Sequence, residues 1–160
     1  MLRDRAVVGV TLSAITRSAP ETIATATLAL ETNGPGFTDI TRDAARFLSD
    51  AGAQDGALFL FMRHTSASLI IQENADPDVR TDLATALAGV APTEADWIHR
   101  TEGPDDMPAH VKTMFTGVSL HVPVSGGALA LGTWQGIYLA EHRDRPHRRE
   151  VLLQFIGSRC

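Results

Sequence analysis

The chain has 160 residues and a formal net charge of −5, with 14 Lys and Arg against 19 Asp and Glu. That length suits one domain with one substantial core, and the acidic balance argues against a general nucleic-acid binder, which carries a basic face. The one cysteine, Cys160, excludes an intramolecular disulfide, and its place at the frayed end of the chain argues against a catalytic thiol.

Val7, Val8, Val10 and Leu12 predict a first strand, and Glu21 to Leu30 a second. Asn33-Gly34-Pro35-Gly36 reads as a turn. Thr38 is placed to cap a helix whose apolar face is Ile40, Ala44, Phe47 and Leu48, and Gly52 ends it. Ala57 to Met62 is nearly all apolar and predicts a buried strand, followed by another over Ser68 to Gln72. Asp76-Pro77 starts a helix: the aspartate accepts backbone N–H bonds and proline suits the first helical position. Val79, Leu83, Ala86, Leu87 and Val90 continue it at helical spacing.

Ala91 to Asp106 is polar and irregular, and Pro108 to Phe115 fits one short helix. Val118, Leu120, Val122 and Val124 alternate as in a strand. Gly126-Gly127 turns the chain, and Leu129 and Leu131 begin its return. Thr133 to Leu139 and Val151 to Ile156 are further strands. Strands interspersed with two or three helices predict an α+β fold, with a two-layer sheet core preferred. No signal-peptide pattern is evident, and no run approaches the roughly 20 apolar residues that span a bilayer. A cytoplasmic location with no membrane partner is the expectation.

Most of the chemistry lies between Arg63 and Gln135. His64 follows an apolar strand and precedes Thr65, Ser66 and Ser68; it can serve as base, acid or metal ligand, or it can simply end the strand. Glu73 sits just before a helix N-terminus, which favours anions. That corner either binds phosphate or holds its own carboxylates. Asp82 lies further along the same helix, where a solvated face is the plain alternative. His99 and His110 form the best metal pair, with Glu102, Asp105 and Asp106 between them. Their separation matches no strong zinc motif, and two solvated loop histidines are the bland alternative. Lys112 follows His110 by two residues; the two side chains share a side if the segment is extended and diverge if it is helical, and a surface lysine is the plain alternative. Arg143, Arg145, Arg148 and Arg149, with His142 and His147, make the tail locally basic, either as an anion-facing loop or, more usually, as a solvated turn around Pro146. Trp134, between Gly132-Thr133 and Gln135-Gly136, reads as core or contact before it reads as a stacking platform. No nucleophile elbow, P-loop or dinucleotide fingerprint is present.

Taken in order, several motifs resemble a known family. They are His64-Thr65-Ser66-Ala67-Ser68-Leu69, Glu73-Asn74-Ala75-Asp76-Pro77-Asp78-Val79, His99, Glu102-Gly103 and Asp106-Met107-Pro108-Ala109-His110-Val111-Lys112. Ser119-Leu120, Leu131-Gly132-Thr133-Trp134-Gln135-Gly136-Ile137 and Glu141-His142-Arg143 complete them. Over about two thirds of its length the chain resembles the YjbQ-like family of secondary thiamine-phosphate synthase enzymes.

The resemblance implies a single α+β domain over residues 1–160, with a β-sandwich-like mixed sheet core and two or three helices. It also implies a homotrimer with a polar pocket near the subunit boundary. A divalent metal, zinc or magnesium, is implied there, with no organic cofactor and a small phosphorylated metabolite as ligand. The implied reaction joins a pyrimidinylmethyl diphosphate to a thiazole phosphate and releases pyrophosphate. Catalytic roles fall to His64, Glu73, Asp82 and His110. Phosphate or substrate contacts fall to Ser66, Ser68, Asn74, Lys112, Thr133, Gln135 and Arg143, and metal ligation to His64, His99 and His110. Asp106 stands where the family usually has asparagine, which adds a charge near the pocket, and His121 falls outside the expected site. A non-catalytic metabolite- or anion-binding trimer and a metal-dependent hydrolase are the alternatives for the same pocket.

Overall fold

The computed structural model describes residues 11–160. The strand expected over Val7, Val8 and Val10 lies outside the described residues, and Leu12 is exposed and irregular. The elements in chain order are β1 (Thr22–Asn33), β2 (Gly36–Asp39), α1 (Thr41–Asp50), β3 (Ala53–Met62), β4 (Ala67–Glu73) and α2 (Pro77–Val90). They continue with α3 (Asp106–Thr116), β5 (Ser119–Ser125), β6 (Ala128–Leu129), β7 (Gln135–Glu141) and β8 (Pro146–Arg159).

Two sheets face each other, one ordered β1-β8-β3-β5-β6 and the other β2-β7-β4. The α+β, sandwich-like expectation holds, and every strand pairing is antiparallel. The inward faces supply the core: Leu58, Leu60 and Met62 of β3, Val122 and Val124 of β5, and Val151, Leu153 and Phe155 of β8 meet Leu69 of β4 with Ile137 and Leu139 of β7. Strict alternation along β8 carries the pattern beyond its apolar residues, so Arg149 also points inward. β3 bulges between Ala53 and Gly56, where a Cβ on Gly56 would stand 2.2 Å from the Ile156 carbonyl oxygen.

α1 buries Ala44 and Leu48 against this core, with Ile40 at its N-cap. Thr38 does not cap it. That residue pairs with Leu139 in β2, a strand too short to signal itself in the sequence. Asp39 instead accepts the Thr41 N–H at 2.8 Å. Gly52, at φ 62°, follows the helix end. Asp76 caps α2 as expected, accepting from Asp78 N at 2.9 Å. α2 buries no residue fully: Val79, Leu83 and Leu87 are half-buried, and Val90 is exposed. The return strand β6 is two residues long and stops before Leu131. No helix among the described residues is long and apolar enough to cross a membrane.

Candidate metal centre and its surroundings

α3 begins at Asp106, and Pro108 fits its first turn because N–H groups there lack intrahelical partners. Four residues separate Asp106 from His110, one helical repeat that puts both on one face. The loop after α2 brings His99 back over that face. Asp106 Oδ2 lies 2.8 Å from His99 Nε2 and 3.2 Å from His110 Nε2. Together the three residues offer ligand atoms that all lie within 4.8 Å of one another.

The surroundings fix two of the three side chains. His110 Nδ1 donates to the Thr65 carbonyl at 2.8 Å, so the neutral ring turns an Nε2 lone pair toward Asp106. Asp106 is buried, and its other oxygen, Oδ1, accepts from Arg143 Nη1. The remaining Arg143 nitrogens are also engaged, with Nε donating to Asp105 Oδ2 at 2.8 Å and Nη2 to the Glu102 carbonyl at 2.7 Å. Burial opposes ionisation of Asp105, but the Arg143 hydrogen bond and backbone N–H groups outweigh it and hold its pKa below the usual carboxylate range. Burial likewise opposes the Arg143 charge, and Asp105 and Asp106 outweigh it and raise its pKa.

Two lone-pair atoms, His110 Nε2 and Asp106 Oδ2, therefore face each other at 3.2 Å. A proton or a cation between them removes the repulsion. A tetrahedral zinc bound at about 2.0–2.1 Å holds its ligands roughly 3.3 Å apart, so the donor set fits a divalent ion with one position left open. Imidazole nitrogens favour zinc over magnesium, which takes oxygen ligands.

His64 is outside this group. Ser66 N donates to its Nδ1 at 3.0 Å, so the neutral ring carries its proton on Nε2. That tautomer is a hydrogen-bond donor there, with no free lone pair for a metal. Asp106, and not the His64 named in the sequence reading, lies with His99 and His110. Burial first, and then the Arg149 charge, lower the His64 pKa and keep the ring neutral.

Ser66 and Ser68 are buried. Ser68 Oγ lies 2.8 Å from His142 Nε2 and 2.6 Å from Thr116 Oγ1, so its hydroxyl belongs to an internal network rather than to an open phosphate site. Burial, followed by the Lys112 charge, pushes the His142 pKa down to about 4. Lys112 is half-buried on α3, where the two-residue step turns its side chain to a different side of the helix from His110, and its ammonium has no hydrogen-bond or ion-pair partner among the described residues.

The remaining predicted residues lie elsewhere. β4 and β7 pair from Ala67↔Glu141 at one end to Glu73↔Gln135 at the other. Six residue steps at about 3.3 Å put roughly 20 Å between those ends. Ser66, Ser68, His142 and Arg143 sit at the first end, and Glu73, Asn74, Thr133 and Gln135 at the second. There Glu73 Oε1 accepts from Ala75 N and Asp76 N at 3.0 and 3.1 Å, Asn74 Nδ2 donates to the Gln135 carbonyl, and Gln135 Oε1 accepts from Gly132 N. Thr133 is exposed, and Asp82 is exposed on α2. One chain alone does not gather these groups into a single cavity.

Sequence reading gave Asp106 no ligand role, although its spacing to His110 was the available signal. It read His142 and Arg149 only as part of a basic tail and missed the buried pairing of Arg149 with Glu141, which the inward alternation of β8 would have flagged.

The model of the family described as UPF0047 protein YjbQ-like matches residues 26–158. UPF0047 protein sll1880 of Synechocystis sp. is 47% identical over 132 residues, covering 82% of this chain and 90% of that protein. UPF0047 protein YjbQ of Salmonella typhimurium is 42% identical over 133 residues, covering 82% and 96%. A crystal structure of a YjbQ/UPF0047 family protein from Clostridium acetobutylicum superposes with a TM-score of 0.76 at 39% identity, covering 82% of this chain and 99% of that one. Protein TT1486 of Thermus thermophilus superposes with a TM-score of 0.73 at 38% identity, covering 81% and 98%. The chain belongs to the YjbQ-like UPF0047 family.

Proposed function

We propose that this protein is a metal-assisted transferase of the thiamine-phosphate synthase type, with His99, Asp106 and His110 holding a divalent cation. The observation that carries the reading is the convergence of three donor atoms, His99 Nε2, Asp106 Oδ2 and His110 Nε2. The donor set favours zinc. When bound, the cation supplies charge neutralisation for phosphoryl oxygens.

This chain's own groups do the rest. Lys112 binds phosphate oxygens with an ammonium that nothing else among the described residues occupies. Arg143 holds Asp106 by Oδ1, so that Oδ2 faces the histidines. The Thr65 carbonyl fixes the His110 tautomer. In the reaction, the thiazole ring nitrogen attacks the methylene carbon of the pyrimidinylmethyl diphosphate. The carbon–oxygen bond breaks, and pyrophosphate leaves with the electron pair. Such a displacement needs alignment and charge stabilisation more than a covalent nucleophile. In this reading the unit is a homotrimer, which the exposed Phe59 and Phe61 on the five-stranded sheet support. Glu73, Asn74, Thr133 and Gln135 then reach a pocket only from a neighbouring subunit.

A second reading rests on the donor set having three members, which would leave a bound ion one position for water: the same centre would hydrolyse a phosphate ester, water attacking phosphorus as the P–O bond breaks and the alcohol leaves. Purified protein supplied with zinc and both phosphorylated precursors tests the first reading. It predicts formation of thiamine phosphate and pyrophosphate, lost in His99→Ala and His110→Ala. Turnover unchanged in His110→Ala contradicts it, and binding without turnover favours a metabolite-binding role.

A further inference from the structure

Beside the candidate metal centre lies a separate cavity of about 430 Å³ lined by Met62, Arg63, His64, Arg148, Arg149 and Glu150. It forms where the C-terminal end of β3 meets the start of β8, the two strands pairing at Met62↔Val151. Its volume lies within the range of small-molecule sites, about 300–1,000 Å³.

The polar lining is mostly donor. Arg149 is 2% exposed, and it commits Nε and Nη2 to Glu141 at 2.7 Å each. Its third nitrogen, Nη1, has no acceptor among the described residues, and Arg149 lines the cavity. Arg63 and Arg148 each turn one Nη2 toward Glu150, at 3.2 and 3.6 Å, and keep their other N–H groups uncommitted among the described residues. His64 adds a further donor. Its Nδ1 is taken by Ser66 N, which leaves the proton of the neutral ring on Nε2. Of the charged lining residues three are guanidinium groups and one, Glu150, is a carboxylate; Glu141 is taken by Arg149, and Glu31 stands opposite Arg148 on β1.

We infer that this cavity is an anion subsite that takes a phosphoryl or pyrophosphoryl group. A planar guanidinium matches phosphate oxygens with paired N–H donors, and a nearly buried one has already given up its water. The subsite adjoins the metal centre through one residue: Thr65, which follows His64, is the carbonyl partner of His110. As the seat of a substrate's phosphate end the assignment rests on the transferase reading. As an anion site it stands on its own donors.

Titration calorimetry of inorganic pyrophosphate into chelator-treated full-length protein tests it. The expected result is saturable binding at one site per chain that weakens as salt rises. Arg63→Gln and Arg148→Gln each weaken it by about tenfold, the loss of one charge-assisted contact. Arg148→Lys retains part of the affinity, and Arg46→Gln on α1 leaves it unchanged. No saturable binding, unchanged affinity in the Arg63→Gln/Arg148→Gln double variant, or equal affinity for malonate overturns the assignment. Zinc binding by Arg148→Gln at the wild-type level shows that the variant is folded. Pyrophosphate binding without synthase turnover upholds the subsite and removes the transferase reading. Turnover with KM unchanged in the double variant does the reverse.

Discussion

Arg149 of β8 and Glu141 of β7 form a two-pronged ion pair between the sheets, with Nε to Oε2 and Nη2 to Oε1 both at 2.7 Å. Both side chains are buried, and Thr32 of β1 donates to Glu141 Oε2 at 2.7 Å. Burial opposes the charge on Glu141, but the hydrogen bonds from Arg149, Arg143 N and Thr32 outweigh it and lower its pKa. Removing one partner strands the other charge in the core. Arg149→Met is expected to cost about 3–5 kcal/mol by urea unfolding, and Arg149→Met/Glu141→Leu to recover most of that loss. A double variant no more stable than the single one would contradict the pairing.

The same pair sets part of the acid response. Because the folded-state pKa of Glu141 lies below the ordinary 4.5, its contribution is fully present above that pH. It is lost as pH falls through the lower folded value. His142 acts in a higher window. Its folded pKa of about 4, against 6.5 in the open chain, makes the unfolded state bind the extra proton first. Stability is then full above pH 6.5 and falls by on the order of 3 kcal/mol between pH 6.5 and 4. Unfolding free energy measured across that interval should flatten in His142→Gln. An unchanged slope would show that the imidazole titrates as it does in water.

Arg143 is expected to act on the metal through Asp106 rather than on a ligand directly. Its three donor positions are all engaged by the protein. Arg143→Gln should weaken zinc binding by about 10–100-fold in competition with a chelator, the usual cost of losing a group that orients a ligand. Zinc affinity unchanged in this variant would return Arg143 to the phosphate-binding role read from the sequence.

The cap on α2 gives a test independent of any ligand. Asp76→Ala removes the side-chain acceptor for Asp78 N and should cost about 1 kcal/mol in chemical unfolding. A change below a few tenths would mean that Glu73, which accepts from Ala75 N and Asp76 N, holds the turn by itself.

Features with local causes were legible in the sequence. The Asp76-Pro77 start, the Gly126-Gly127 turn and the apolar face of α1 each follow from residues adjacent in sequence or one helical turn apart. β2 was not legible, because four residues beside a glycine-proline turn carry no period of their own. The site was legible in part. His99 and His110 stood out by type, and Asp106 joins them in space through a one-turn spacing to His110 that the helix start at Asp106 makes effective. His64 lies apart from His99 and His110, and its hydrogen bond from Ser66 N to Nδ1 favours a tautomer that residue type does not specify. Within one chain strand length keeps the polar clusters apart: β4 carries the chain from Ala67 to Glu73, so the groups at its two ends share a cavity only across a subunit boundary.

The most direct test of the account is zinc stoichiometry, measured by titration on protein purified without a nickel column. One tightly bound zinc per chain is predicted for the wild type and for His64→Ala, with loss of that site in His99→Ala and in His110→Ala. Wild-type protein that binds no zinc, or a His110→Ala variant that binds it as tightly as the wild type, would contradict the assignment of His99, Asp106 and His110 as the metal centre.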